Sequence, residues 1–410
     1  MKRYTLIFSL ILALGSTYSQ EFVNKFVTLD TVLLLPTEKL VSQSSVQCAL
    51  WEDTIVFFNY DAKYDKDTIK FYFLEVNTYQ CRTKKMVICG LAKDLANDNT
   101  SYIDCFAYNG RHIVLGYSQR LWLFEIKDDT SFMLLQTIPE NWQNQITAFI
   151  DDSYLIQSNV YYSQPIPAYI KKIGVNTFEW QFDNSQKQSE SFLQIKYMHP
   201  IFGYFSPRHF LDVKYGKILL TNRTTYSATI FDDNFAKDSQ IETKKRGWIE
   251  MNAKKIQKIT DKYDKHDAGA IIAEVSKYIP KISQLIWGYF LDSNKILLAY
   301  QTPEDGDIPK VFIDIWTKNG ENWVLDKENI EDIIHFQPEN GCLRRQSFGL
   351  SFLSGYQYLF TESKVFVFQH RGTNVNPIDM NAKQFYAAKN KFYLENGSSV
   401  LNIYVFSHSF

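Results

Sequence analysis

One local pattern recurs along this chain and limits what it can fold into: a short apolar strand, a tight polar turn, then a second short strand of aromatic and branched residues. It reads Ala-Leu-Trp at 49–51 then Ile-Val-Phe at 55–57; Phe-Ala-Tyr at 106–108 then Ile-Val-Leu at 113–115; Phe-Ile at 149–150 then Tyr-Leu-Ile at 154–156; and Leu211 then Ile-Leu-Leu at 218–220. It returns as Tyr-Phe-Leu at 289–291 then Ile-Leu-Leu at 296–298; Phe-Leu at 352–353 then Tyr-Leu-Phe at 358–360; and Phe-Tyr-Ala at 385–387 then Phe-Tyr-Leu at 392–394. Residues of these types suit pleated, half-buried surfaces, and the polar residues between them suit turns. One hairpin cannot bury its own apolar faces, so repeated hairpins must stack on one another. Several repeats run on through further strands: the first through 71–74 to 86–88, the second through 121–124 to 132–135, and the fifth through 311–313 to 323–325. Four antiparallel strands per unit is the expectation.

The sequence around the last repeat adds a closure argument. Its third strand, 401–406, is followed by only four residues, which leaves a four-stranded unit one strand short. An open edge invites aggregation, and a strand from the other terminus removes it. The segment 22–29 or 31–35 is available for that role.

Between the fourth and fifth repeats the period changes. Ile256, Ile259 and Tyr263, then Ile271, Ile272, Val275 and Ile279 after Gly269, fall at steps of three and four, so a helical insertion is expected over 252–279, stopped by Pro280. Lys254, Lys255, Lys258, Lys262 and Lys265 lie off the first apolar stripe, as a solvated face, a docking surface or a mobile lid.

Composition bounds the partners and the compartment. The formal net charge of -1 gives no global basic field for nucleic acid. Lys2 and Arg3, the apolar run 4–14 and the small residues before Gln20 have the layout of a secretory signal spanning 1–19, which leaves 20–410 as one domain and predicts a secreted, periplasmic or extracellular protein. Beyond that run no stretch reaches the roughly 18 apolar residues of a membrane span. Cys48, Cys81, Cys89, Cys105 and Cys342 are too few and scattered for a disulfide scaffold, although export would permit pairing among the first four. Asn99, Asn222 and Asn396 open N-x-S/T sequons, which matter only in a glycosylating host.

Motifs of catalysis are missing. Gly116-Tyr117-Ser118 lacks the second glycine of a nucleophile elbow, and neither a zinc His-Glu-x-x-His nor a phosphate loop is present. The sequence therefore implies no cofactor and no metal, and the acids at 61, 65 and 67, at 232 and 233, and at 304, 305 and 307 read as turn residues, with calcium held by Asp305, Asp307 and carbonyls as the alternative. Asp104 and Asp212 fall on expected inner strands, as structural carboxylates or as the acids of a glycoside hydrolase.

Two loops carry the binding expectation. Residues 197–209 gather aromatic side chains beside a cation, with Tyr204, Phe205, Arg208 and His209, and Arg344 with Arg345 in 340–346 supplies paired guanidiniums suited to carboxylate or sulfate.

The repeated hairpins and unfinished last unit, over residues 46–410, resemble secreted β-propeller proteins as an architectural class. The resemblance implies an all-β fold with a single β-propeller, seven blades preferred and six or eight as alternatives. Trp-Asp blade endings, kelch double glycines and the sialidase box are absent, so it extends to fold and not to function. The leading expectation is an exported binding or interaction module for a protein, peptide or glycan ligand. A hydrolase of carbohydrate or peptide, or a structural component of a surface assembly, stands as the alternative.

Overall fold

The computed structural model describes residues 27–37, 47–58, 68–87, 105–117, 120–127, 131–139, 143–152, 154–160, 168–174, 192–195, 209–222, 225–250, nine separate positions between 252 and 277, 281–303, 310–331, 356–369 and 399–409. Their regular structure is all but wholly β, in six four-stranded antiparallel sheets, and the chain divides into two units. The first strand, β1 (Val27–Thr37), belongs to the smaller unit.

The larger unit carries five sheets, each made of four strands consecutive in sequence. The first holds β2 (Gln47–Trp51), β3 (Thr54–Phe58), β4 (Thr68–Glu75) and β5 (Cys81–Val87). The second holds β6 (Cys105–Tyr108), β7 (His112–Tyr117), β8 (Arg120–Ile126) and β9 (Phe132–Pro139). The third holds β10 (Gln143–Phe149), β11 (Tyr154–Val160), β12 (Ala168–Gly174) and β13 (Phe192–Ile195). The fourth holds β14 (His209–Lys214), β15 (Lys217–Asn222), β16 (Ser227–Asp232) and β17 (Lys237–Glu242), and the fifth β18 (Gln284–Asp292), β19 (Lys295–Thr302), β20 (Lys310–Asn319) and β21 (Asn322–Glu331). The first strand of each sheet packs against the first strand of the next, from β2 to β6, β10, β14 and β18. Five meandering blades joined through their inner strands are a propeller arrangement.

The apolar runs follow from this stacking. A middle strand is covered on both faces, so β3 buries Ile55, Val56, Phe57 and Phe58 in succession rather than alternating with polar residues. Between the first and second sheets Phe58, Phe71 and Met86 meet Phe106, Ile113, Leu115 and Trp122. Between the fourth and fifth, Leu219, Ile230 and Ile241 meet Leu285, Phe290, Ile296 and Leu298. The turns are tight where expected: Tyr215 (φ 56°) and Gly216 (φ 65°) form the two-residue corner between β14 and β15, a shape that matches strand twist.

The smaller unit contains one sheet, in the order β1, β24 (Ser399–His408), β23 (Lys364–Gln369), β22 (Tyr356–Phe360). Strands β1 and β24 pair antiparallel from Val27 opposite His408 to Thr37 opposite Ser399, with one bulge at Asp30, whose carboxylate accepts a hydrogen bond from the Ser407 hydroxyl. The N-terminal strand thus covers the edge that β24 would otherwise present.

Two expectations need correction. The five-bladed arrangement and the separate sheet do not support seven blades. Of the hairpin read at 352–353 and 358–360, the first strand lies outside the described residues and the second falls in β22, which pairs instead with the following β23; the one read at 385–394 lies in sequence between two neighbouring strands of that same sheet, outside the described residues. A helical insertion over 252–279 is likewise unsupported as an element. Lys254, Lys255, Lys258, Asp261, Ala270, Glu274 and Lys277 have helical backbone, but as single residues and one pair they delimit no helix.

Candidate functional site

The structure places few of the expected binding residues. Tyr204, Phe205, Arg208, Arg344 and Arg345 lie outside the described residues, and His209 is described only as the first residue of β14, its backbone opposite Asn222. Asp104 and the acids of 61–67 and 304–307 are outside as well. Asp232 is a turn residue, as expected, its Oδ1 accepting from the backbone N–H of Asn234 at 2.9 Å and Ala236 at 2.8 Å.

Asp212 is the inner-strand carboxylate that can be described. It accepts from the backbone N–H of Phe290 at 2.8 Å and lies 3.9 Å from the Lys214 ammonium, which itself donates to the Phe290 carbonyl at 3.2 Å. These bonds join β14 to β18. Burial raises the Asp212 pKa against the pull of Lys214 and the Phe290 N–H, and the Tyr289 phenol, buried beside Asp212 and Cys48, is held well above its ordinary range. The carboxylate is an interblade fastener. Cys48 and Cys81 are free thiols, so neither takes part in the pairing that export would permit; burial raises both, Cys81 to about 11. Among the described residues, no three His, Cys, Asp or Glu side chains gather as a metal site.

The most concentrated polar chemistry among the described residues lies between the fourth and fifth sheets, around Asp314. This residue sits within the apolar strand Val-Phe-Ile-Asp-Ile-Trp of β20 and is fully buried. Opposite it β21 bulges: Ile313 pairs with Ile330 but Ile315 with Lys327, which leaves Glu328 and Asn329 in the bulge. Asn329 takes a left-handed conformation (φ 53°), tolerable for Asn, and its N–H donates to Asp314 Oδ1 at 2.8 Å. Asp314 Oδ2 accepts from the Lys245 ammonium at 2.6 Å and from the Tyr226 hydroxyl. Tyr226 in turn accepts from Trp316 Nε1 at 3.1 Å. The Tyr300 hydroxyl has one proton and gives it to Asn329 Oδ1 at 2.6 Å, standing 3.5 Å from Asp314.

Aromatic rings complete the enclosure. The Lys245 ammonium lies 4.9 Å from the Tyr300 ring centroid and 5.7 Å from that of Tyr226. Trp248 packs edge-on to Tyr226, with centroids 5.6 Å apart. Burial first, then the Asp314 charge, pushes both phenols far above their ordinary pKa, so they act as donors and not as nucleophiles. The arrangement can hold a cation, shielded from water, by one carboxylate and two ring faces. Sequence reading passed over it because Asp314 is a single acid in an apolar strand and Lys245 one cation among several. The available signal was the acid itself, since a charge inside a doubly covered strand needs a partner.

No family model matches this chain, and no curated protein matches it. Solved structures similar to it include a protein of Bacteroides fragilis NCTC 9343 whose name marks it as a candidate exported protein, 8% identical, with a TM-score of 0.47 over 91% of this chain and 94% of that one. A DUF4221 family member from Bacteroides vulgatus is 9% identical, with a TM-score of 0.45 over 93% and 98%. The β-propeller domain of Myceliophthora thermophila Cps50 (Swd1) is 7% identical, with a TM-score of 0.35 over 84% and 88%.

Proposed function

We propose that this chain is an exported β-propeller module that binds a ligand or partner on its loops rather than transforming it. One observation supports this above the others: among the described residues, three carboxylates fasten one blade to another. Asp212 ties β14 to β18, Asp314 ties the fourth sheet to the fifth, and Asp238 bridges Lys217 at 3.1 Å and Lys318 at 3.5 Å across the same pair of sheets. Carboxylates so engaged are not placed to protonate a leaving group or activate water. Recognition then falls to the connections. The proposed ligand-binding residues are Tyr204, Phe205, Arg208, His209, Arg344 and Arg345, and the matching ligand is an acidic glycan or peptide carboxylate. Export rests on the sequence of residues 1–19, with its basic head and short apolar run. Among the described residues no helix is long and apolar enough to cross a membrane.

Calorimetry with a sulfated hexasaccharide and an acidic hexapeptide tests the reading. The native chain should bind one of them, and the double variant Arg344→Ala, Arg345→Ala should bind it at least tenfold more weakly with an unchanged melting temperature. Equal binding by the double variant would remove these residues from the site.

A further inference from the structure

Within 243–250, an otherwise exposed stretch after β17, Lys245 and Trp248 are the inward residues. Thr243, Lys244, Arg246, Gly247, Ile249 and Glu250 face solvent, whereas the Lys245 side chain keeps 7% of its surface. A turn closes over the pair, with the Trp248 N–H donating to the Lys245 carbonyl at 3.1 Å and Gly247 at φ 77°. Two hydrogen bonds between Ile249 and Ser283, each 2.9 Å, anchor the connection beyond the turn. The turn is therefore held in place without the Lys245 side chain. The cage, in contrast, needs a cation: Asp314 is wholly buried, and the other groups around it are neutral apart from the exposed Glu328 carboxylate, 3.6 Å from Lys245. Trp248 Nε1 adds a second observation. It is buried with no hydrogen-bond partner, on a ring that packs against both Tyr226 and Tyr300.

We propose that the Asp314 cage is a recognition site for a primary ammonium group, filled in this state by Lys245 as a tethered ligand. An incoming alkylammonium or lysine side chain replaces the Lys245 ammonium between the Tyr226 and Tyr300 rings while the turn stays anchored through Ile249. The exchange makes and breaks only the ion pairs to Asp314 and Glu328 and the ring contacts. The proposal does not rest on the loop residues, and the outcome at Arg344 and Arg345 has no bearing on it.

The test uses Lys245→Ala in the full chain with n-propylammonium, the group the substitution removes, followed by calorimetry, tryptophan fluorescence and thermal melting. The variant should melt lower than the native chain, bind n-propylammonium saturably in the millimolar range and regain melting temperature as it fills. n-Propanol should give no rescue, nor should n-propylammonium act on Lys245→Ala combined with Asp314→Asn. If Lys245→Ala is unfolded in buffer, n-propylammonium must restore its β-sheet circular dichroism. Absence of binding or refolding, or equal rescue by n-propanol, overturns the proposal. So does a Lys245→Met variant as stable as the native chain, since the cage would then need no cation.

Discussion

At the scale of single residues, the charged groups of the larger unit show how little a side chain's type says about its task. Glu125 on β8 accepts from Arg111 Nε at 3.0 Å and Nη2 at 2.7 Å and meets Lys127 at 2.5 Å. Hydrogen bonds from Lys127 and then Arg111 lower its pKa to about 2. A carboxylate depressed in the folded state contributes stability that is complete above its unfolded value, near 4.5, and is lost as pH falls through about 2. Urea midpoints taken across that interval should decline with acid in the native chain and decline less in Glu125→Gln; parallel curves would show that the pair adds nothing. Asp212, read from the sequence as structural or catalytic, accepts a hydrogen bond from the Phe290 N–H on another blade. No spacing along the chain encodes that bond, because its ends are 78 residues apart.

At the scale of elements, close approach and edge cover govern what each strand tolerates. Gly288 on β18 passes so near β15 that a Cβ would lie 2.5 Å from Thr221 Cγ2 and 3.3 Å from Leu219 Cδ2. Gly288→Ala should therefore cost about 1–3 kcal/mol in chemical denaturation. Adding Thr221→Ser, which removes the offending methyl, should recover part of that loss; a neutral Gly288→Ala would refute the contact. In the smaller unit, β1 shields β24 along its whole length. Deleting residues 27–37 should uncover that edge and produce aggregates in size-exclusion chromatography with light scattering. A soluble deletion variant with an unchanged melting temperature would show that closure by β1 is dispensable. The two strands find each other because both are apolar and β-prone, which is why their pairing was legible from the terminal residues alone.

At the scale of the whole molecule, the proposed export makes the simplest prediction. Produced from its full reading frame in a secreting host, the chain should appear outside the cytoplasm with Gln20 as the first residue in N-terminal sequencing. A product retaining Met1 would overturn both the cleavage site and the assignment of residues 1–19. The blade count was the least legible property. Hairpins can be counted in sequence, but a count of hairpins is not a count of sheets: one of the seven falls between β23 and β24, two strands that are already neighbours.

The sequence by itself determined the local alternation of apolar strand and polar turn, the grouping of strands into four, and the strand that completes the terminal sheet, because side-chain shape and turn chemistry act between residues close along the chain or strongly β-prone. Tertiary structure alone decided which sheets make up which unit, which strand bulges, and that Asp314, Lys245, Tyr226 and Tyr300 share one enclosure. Those residues come from two strands of the fifth sheet and two connections flanking strands of the fourth, and what unites them is the free energy of leaving a buried charge unpaired, a quantity that exists only once the sheets have packed.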